Sequence, residues 1–255
     1  MKGLILVNNS LKKSRETAQK VKDALEKLNI SVVMNETEKP DFIVSVGGDG
    51  TILHSSELAL KLDIPILGVN VGHLGFLATV EGDNLEPLSH LKENLEIEEL
   101  MLLDIYVNGE FKGSVLNEIT VTREGYSGIV DVEVTVDNSE SFNYRADGII
   151  VSTPTGSSAY SFSAGGPIIE KTAKAIMITP LCPHSLMNRS LIISPERSLK
   201  IKAHSRSKIV LLSDGNNNAV LNEETEIVIK KSEKTLKIIS FPENNYFRVI
   251  KNKLL

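Results

Sequence analysis

Phe42-Ile43-Val44-Ser45-Val46-Gly47-Gly48-Asp49-Gly50-Thr51 decides how this chain is read. An apolar run ends abruptly on two glycines, and a helical pattern opens at Thr51 and continues to Leu62. A buried strand, a glycine turn and a helix in immediate succession form the start of a β–α unit. Upstream, Gly3–Val7 is a strand run, and Ser14–Leu28 places Ala18, Val21, Leu25 and Leu28 on one helical face. Ile30–Met34 and Ile64–Val69 are further strand runs, and Leu85–Leu95 has the pattern of an amphipathic helix. Leu58 and Leu62 are the expected inward residues of the Thr51–Leu62 helix. Strands alternating with helices over short links predict a parallel sheet with helices on its faces.

Beyond Glu98 the texture changes. Strand runs at Leu100–Val107, Lys112–Arg123, Val130–Val136, Phe142–Tyr144, Gly148–Ser152, Ala175–Thr179 and Leu191–Ser194 follow one another. Leu199–Ala203, Ile209–Ser213, Ala219–Asn222 and Thr225–Ile229 continue the series. Asn108-Gly109, Asp137-Asn138, Pro195-Glu196 and Asp214-Gly215 punctuate it with turn chemistry. The expected fold class is an α/β N-terminal domain with a parallel sheet, followed by a β-rich, sandwich-like C-terminal domain. The boundary is expected near residue 97.

Composition removes several function classes. The 255 residues carry 28 Lys and Arg against 33 Asp and Glu, a net charge of −5, with no Trp. A nucleic-acid groove leans on a basic surface and stacking aromatics, so no nucleic-acid partner is expected. No apolar run reaches the roughly 18 to 20 residues of a membrane span, so no membrane role is expected. Cys182 stands alone, which excludes an internal disulfide framework and a Cys-cluster metal site, and fits a cytoplasmic location. The five histidines show no metal-ligand spacing, so no direct metal ligands are assigned. A Walker-type phosphate loop and a strict G-x-G-x-x-G fingerprint are also absent.

Two segments could carry chemistry. In Gly47-Gly48-Asp49-Gly50-Thr51 the glycines let backbone N–H groups approach a ligand, and the helix start adds partial positive charge. Asp49 is placed to accept a hydroxyl proton or to hold Mg²⁺ through water; equally, it is placed to cap the helix. The second segment, Thr153 to Pro167, is dense in Ser, Thr, Gly and Ala and has no charge. That composition after the strand Gly148–Val151 suits a polar ligand lying against backbone. Asn117-Glu118 interrupts a strand run and suits a ribose diol, or is an edge-facing polar pair. Arg145-Ala146-Asp147-Gly148 reads by itself as an ion pair and turn, and Phe76 in Asn70–Leu77 as core.

Taken together, Gly47–Thr51, Asn70–Leu77, Asn117-Glu118 and Asp147–Pro167 resemble the bacterial NAD kinases, in order and separation along nearly the whole chain. The Gly-Gly-Asp-Gly-Thr element alone is shared with lipid kinases and, in related form, phosphofructokinases; the Ser-rich run into Ala164-Gly165-Gly166-Pro167 is the more specific part. The resemblance implies an NAD kinase-like fold and phosphorylation of the 2′-hydroxyl of the adenosine ribose of NAD to give NADP. It implies ATP or polyphosphate as donor, a divalent metal such as Mg²⁺, and a homodimer or homotetramer. It implies residues 1–97 with 241–255 as the α/β domain, with the end of the chain packing there, and 98–240 as the dinucleotide-binding domain.

Residue by residue, the resemblance makes Asp49 the base or the group orienting the hydroxyl. Gly47, Gly48, Gly50 and Thr51 would receive phosphates, and Phe76 would line the adenine pocket. Asn117 and Glu118 would hold the ribose. Ser158, Ala159, Tyr160 and Ser163 would line the dinucleotide site, with Tyr160 against a base, and Asp147 would contact the nicotinamide end, from its own or a neighbouring subunit; Thr155 is a further binding candidate, and Arg145 a basic side chain that could meet phosphate charge. Ser158 stands where the family often has Thr, and Asn216 where it usually has Gln. Two other readings compete: a non-catalytic NADP(H) sensor, and a lipid or sugar kinase of the wider superfamily.

The charge distribution sharpens the expectation. Between Pro40 and Leu91 the only Lys or Arg is Lys61, and between Ala146 and Glu170 there is none. Phosphates bound there must be met by backbone N–H groups, hydroxyls, Mg²⁺ and basic side chains brought from elsewhere.

Overall fold

A computed structural model describes the chain except residues 9–11, 73–74, 93–94, 126–127, 138, 185–187, 242–245 and 255, and the side chains of residues 217, 218 and 254. Two of the motif residues read above, His73 and Leu74, lie outside the described residues, as do Asn138 of one turn and part of the 241–255 segment. The chain divides into two units, Met1–Glu99 with Leu236–Leu255, and Leu100–Thr235.

In the first unit β1 (Lys2–Val7), α1 (Lys12–Lys27), β2 (Ser31–Val33), β3 (Phe42–Gly47), α2 (Asp49–Leu62), β4 (Ile66–Asn70) and β5 (Val80–Glu81) follow one another. The strands form a parallel sheet in the order β2-β1-β3-β4, with β5 beside β4. β3 is buried along its whole length, as its unbroken apolar run requires of a central parallel strand. Val21 and Leu25 of α1 are fully buried in the core that also holds Val44, Val46, Leu67 and Val69.

Two sequence expectations are corrected here. The inward face of α2 is Ile52, Ser55 and Ala59, while Leu58 and Leu62 are only half-buried. Small residues bring this helix close to the sheet, where the Ser55 hydroxyl donates to Ser45 Oγ at 3.0 Å. The expected helix at Leu85–Leu95 is a 3₁₀ segment over Glu86–Lys92. Its buried Leu88 and Leu91 lie three apart, the 3₁₀ repeat.

Among the described residues the second unit is all β but for one short interruption. It takes in most of β6 (Glu96–Val107), then β7 (Glu110–Val115), β8 (Glu118–Arg123), β9 (Val130–Val136), β10 (Ser141–Ala146) and β11 (Gly148–Ser152). After a 3₁₀ turn at Thr155–Ser158 and the single-turn α3 (Tyr160–Ser163) come β12 (Ile176–Leu181), β13 (Leu191–Ile193), β14 (Leu199–His204), β15 (Ile209–Ser213) and β16 (Asn216–Leu221). β17 (Ile227–Ser240) begins in this unit and ends in the first, where Ile238 pairs with Ile66 of β4 and α4 (Tyr246–Leu254) follows.

One antiparallel sheet of the second unit runs β13-β12-β11-β8-β15-β16. In the other, β9 lies between β10 and β14, and β14 pairs with β17. Alternate residues of both sheets, such as Ile119, Val121, Ile149 and Val151 against Val132, Val134, Ile201 and Ile229, fill one core. That is a sandwich. The sequence reading stopped the last strand at Ile229, whereas β17 continues to Ser240. Lys230, Lys231, Lys234 and Lys237 make this stretch look like a solvated segment, yet Leu236, Ile238 and Ile239 are fully buried.

Candidate active site

The glycine loop is built as its sequence predicts at the strand end and differently at the helix start. Gly47 is the last residue of β3, and Gly48, not Asp49, is the N-cap of α2, in extended conformation and without a side-chain cap. Asp49 therefore has its carboxylate free for another use. It turns to the segment after β4 and accepts the backbone N–H of Phe76 at 2.9 Å and of Leu77 at 3.2 Å. Gly75 makes that approach possible: a Cβ at this position would collide with the Asp49 carboxylate.

The Asp49 loop is thus joined to the Phe76 segment, as the two motifs read from the sequence would need. Phe76 is half-buried, with the Tyr246 ring 6.1 Å away and Lys253 Nζ 5.1 Å from its centroid. Nearby in the chain, Asn70 is buried with its amide nitrogen unpartnered. Gly48 and Gly50 are exposed at the start of α2, and Thr51 is half-buried there. The arrangement offers free backbone donors at a helix N-terminus and one anchored carboxylate.

In the second unit β8 and β11 bring Asn117-Glu118 and the Ser-rich segment together. Glu118 lies opposite Ser152 in the antiparallel pairing, so the two side chains share a face. Thr153 ties the strand ends: its N–H donates to Asn117 O at 2.9 Å and its hydroxyl to Leu116 O at 2.5 Å. Gly156 packs directly on the Asn117 carbonyl, where any Cβ would collide with backbone. Asn117 itself is half-buried.

The hydroxyls of Thr153–Pro167 divide into two groups. Ser157 bridges Pro154 O at 2.6 Å and Ile169 O at 3.0 Å, and Ser161 pairs with Thr179 Oγ1 at 2.9 Å, so both knit the fold. Ser158 and Ala159 are half-buried, and Tyr160 and Ser163 are exposed. Thr155 is buried with an unpartnered hydroxyl, as is Ser152. Buried polar atoms left without partners mark places that a ligand or water satisfies.

Glu118 is only 7% exposed, and one of its carboxylate oxygens has no partner. Burial, and then the Asp214 carboxylate beside it, push its pKa up from 4.5 to about 7, against the pull of the Tyr160 backbone N–H. Asp214, in the β15–β16 turn, accepts the backbone N–H groups of Leu116, Asn117 and Glu118 at 2.9, 2.8 and 3.0 Å. Sequence reading saw Asp214-Gly215 only as a turn. The side chain's reach to a segment 97 residues earlier leaves no local signal.

Asp147 and Arg145 flank a cleft of about 760 Å³ that Arg123, His184, His204 and Arg206 also line. The two do not pair with each other, which replaces the ion pair read from their spacing. Adjacent strand residues point to opposite faces, but 145 and 147 are separated by the corner from β10 to β11, and each finds another partner. Arg123 grips Asp147 with Nε at 3.2 Å and Nη2 at 2.8 Å, a two-pronged contact. Arg145 lies 4.0 Å from Asp131 across the exposed β9–β10 pair. Arg123 was not singled out from the sequence; it ends a strand run with nothing in its neighbourhood to distinguish it.

Residues 5–96 match the family model for the ATP-NAD kinase N-terminal domain, and residues 116–241 that for the C-terminal domain. The chain belongs to the NAD kinase family. It is accordingly a phosphotransferase that phosphorylates NAD with ATP. An NAD kinase of Caldicellulosiruptor saccharolyticus is 35% identical over 260 residues, covering 98% of each chain. An NAD kinase of Lachnoclostridium phytofermentans is 39% identical over 223 residues, covering 82% of this chain and 78% of its own. Among solved structures, an Archaeoglobus fulgidus NAD kinase in complex with ATP superposes with a TM-score of 0.80 at 29% identity, covering 99% and 98% of the two chains. Yeast NADH kinase complexed with NADH shares the fold with a TM-score of 0.87 at 22% identity, covering 100% of this chain and 87% of its own.

Proposed function

We infer that Asn117, Glu118, Thr155, Ser158, Ala159, Tyr160 and Ser163 hold the NAD acceptor, and that Asp49 in its glycine loop serves the transfer to the 2′-hydroxyl of the adenosine ribose. The observation that carries this reading is the anchored Asp49. Two backbone N–H groups fix its carboxylate beside exposed helix-start donors, a use that a mere cap or a pure binding protein would not need. A carboxylate is too weak a base to ionise a secondary alcohol before reaction. Asp49 therefore orients the hydroxyl and takes its proton late, as the bond to phosphorus forms. Most of the acceleration comes from position and charge neutralisation.

Gly48 and Gly50 offer backbone donors and Thr51 a hydroxyl to the phosphates of ATP or polyphosphate, while Gly47, buried at the end of β3, gives the loop its close turn. Phe76, with Lys253 over its ring, gives an adenine a face and a nearby cation. Asp147, held by Arg123, serves the nicotinamide end, and Arg145 is a basic side chain available to meet phosphate charge. Among the described residues no group of three or more His, Cys, Asp or Glu is placed to hold a metal ion. Were Mg²⁺ to enter on the nucleotide, Asp49 is the loop carboxylate that would reach it through water. When bound, the ion neutralises the charge that builds on the phosphoryl oxygens.

The family resemblance supports a homodimer or homotetramer. No described helix is long and apolar enough to cross a membrane, and the free Cys182 is exposed, which together support a cytoplasmic reading. The test is a panel of alcohol acceptors with ATP and Mg²⁺. NAD should be the favoured acceptor, and preference for a lipid or a simple sugar would overturn the assignment. A sedimentation experiment showing a concentration-independent monomer would remove the oligomer.

A further inference from the structure

Asp214 reaches across the second unit to the segment that carries the acceptor contacts. Its Oδ1 accepts the N–H groups of Asn117 and Glu118, and its Oδ2 that of Leu116. Three consecutive backbone donors thus converge on one carboxylate. The turn that presents it is a tight hairpin turn, with Asp214 at φ 46° and Gly215 at φ 79°, the conformation Asp-Gly favours. Backbone also closes the turn from the other side, since Asp214 N–H donates to Glu118 O at 3.0 Å. Asp214 and Glu118 are therefore locked together at both ends, two carboxylates with no cation paired to either among the described residues.

We propose that Asp214 is a positioning residue for NAD binding: its carboxylate holds the backbone from which Asn117 and Glu118 project. The proposal rests on the reading of Asn117-Glu118 as part of the acceptor site. The geometry has an electrostatic corollary. The groups facing Glu118 are the Asp214 carboxylate from the β15–β16 turn and the Tyr160 N–H from α3. Near neutral pH a Glu118 with its pKa near 7 spends much of its time as an acid, with a proton to donate to a ribose oxygen. The negative charge of Asp214 helps to keep it so.

The experiment compares wild type with Asp214→Asn, by calorimetric NAD binding and by steady-state kinetics across pH. Asn keeps one acceptor oxygen, so the Asn117 and Glu118 donors remain met while an amide N–H₂ faces the Leu116 N–H. Losing one charge-assisted hydrogen bond should raise Kd and KM for NAD by about 10- to 100-fold, with kcat changed much less. The pH inflection set by Glu118 should move to lower pH, since a repelling charge is gone. It should stay above the ordinary Glu range, since burial remains. A merely structural role would lower Tm and the active fraction but leave the Kd for NAD of the folded fraction in place. Unchanged NAD affinity in a folded Asp214→Asn protein would overturn the proposal. Should Asp214→Asn fail to fold, carboxyl ¹³C NMR of wild type decides: Glu118 should titrate near 7 and also sense the Asp214 titration. A Glu118 titrating independently in the ordinary Glu range overturns it. Wild type that does not bind NAD at all would instead remove the acceptor-site reading, which is a distinct failure.

Discussion

The Asp49 carboxylate accepts the Phe76 backbone N–H at 2.9 Å, across 27 positions of sequence. This contact turns two separate glycine-bearing motifs into one assembly. It fixes the orientation of the carboxylate before any substrate arrives, and so lowers the reorganisation needed during transfer.

Asp49→Asn should lower kcat by orders of magnitude while NAD affinity stays close to wild type. The amide keeps an oxygen for one of the two N–H groups but sets an N–H₂ against the other. A stability loss of about 1–3 kcal/mol should therefore accompany the change. Stopped-flow or steady-state assays with calorimetric NAD binding and a melting curve check all three.

Gly75→Ala should be nearly as damaging as a change at Asp49 itself, although residue 75 has no side chain to offer chemistry. The added methyl occupies the space of the Asp49 carboxylate. The expected result is a folded protein with kcat reduced by about 100-fold or more, the scale attached to misplacing a reacting group by roughly 1 Å. Wild-type turnover in this variant would show that the observed approach is not needed.

Stability should depend on pH through Glu118. Its folded pKa is raised from 4.5 to about 7. The folded state thus holds a proton that the unfolded chain has already released. The group's favourable contribution is complete below about 4.5 and is lost as pH rises through about 7. The total is on the order of 3 kcal/mol. Glu118→Gln should remove this slope, making the variant more stable than wild type above pH 7 relative to their difference at pH 4.5. Urea melts at both ends of this window measure it.

Activity should vanish in excess EDTA and return with added Mg²⁺. Few basic side chains stand in the two motif segments; folding brings Lys253 to Phe76 and Arg123 to Asp147, with Arg145 and Arg206 lining the same cleft as Asp147. Substantial turnover in EDTA would mean that protein groups alone neutralise the phosphates.

The fold class was legible because both halves of the chain obey clean periods. Val21 and Leu25 keep the helical spacing, and the residues of β3, β9 and β11 alternate or run unbroken as their burial demands. The long β17 was not, since its Lys-rich middle breaks the pattern while its ends stay buried. At the site, the glycine loop and the Ser-rich turn stood out because backbone approach demands particular residues locally. Asp214, Arg123 and Lys253 did not, because each acts on a segment far away in sequence and the pairing exists only after folding. The Ser-rich run also overstated its ligand-facing hydroxyls: Ser157 and Ser161 serve the fold.

The role of Asp49 in phosphorylating NAD is decided by incubating the purified protein with NAD, ATP and Mg²⁺ and following NADP. NADP carrying its new phosphate on the adenosine ribose 2′-oxygen should be formed by wild type and nearly abolished in Asp49→Asn. NAD bound without conversion, or a phosphate placed on another hydroxyl, would contradict it.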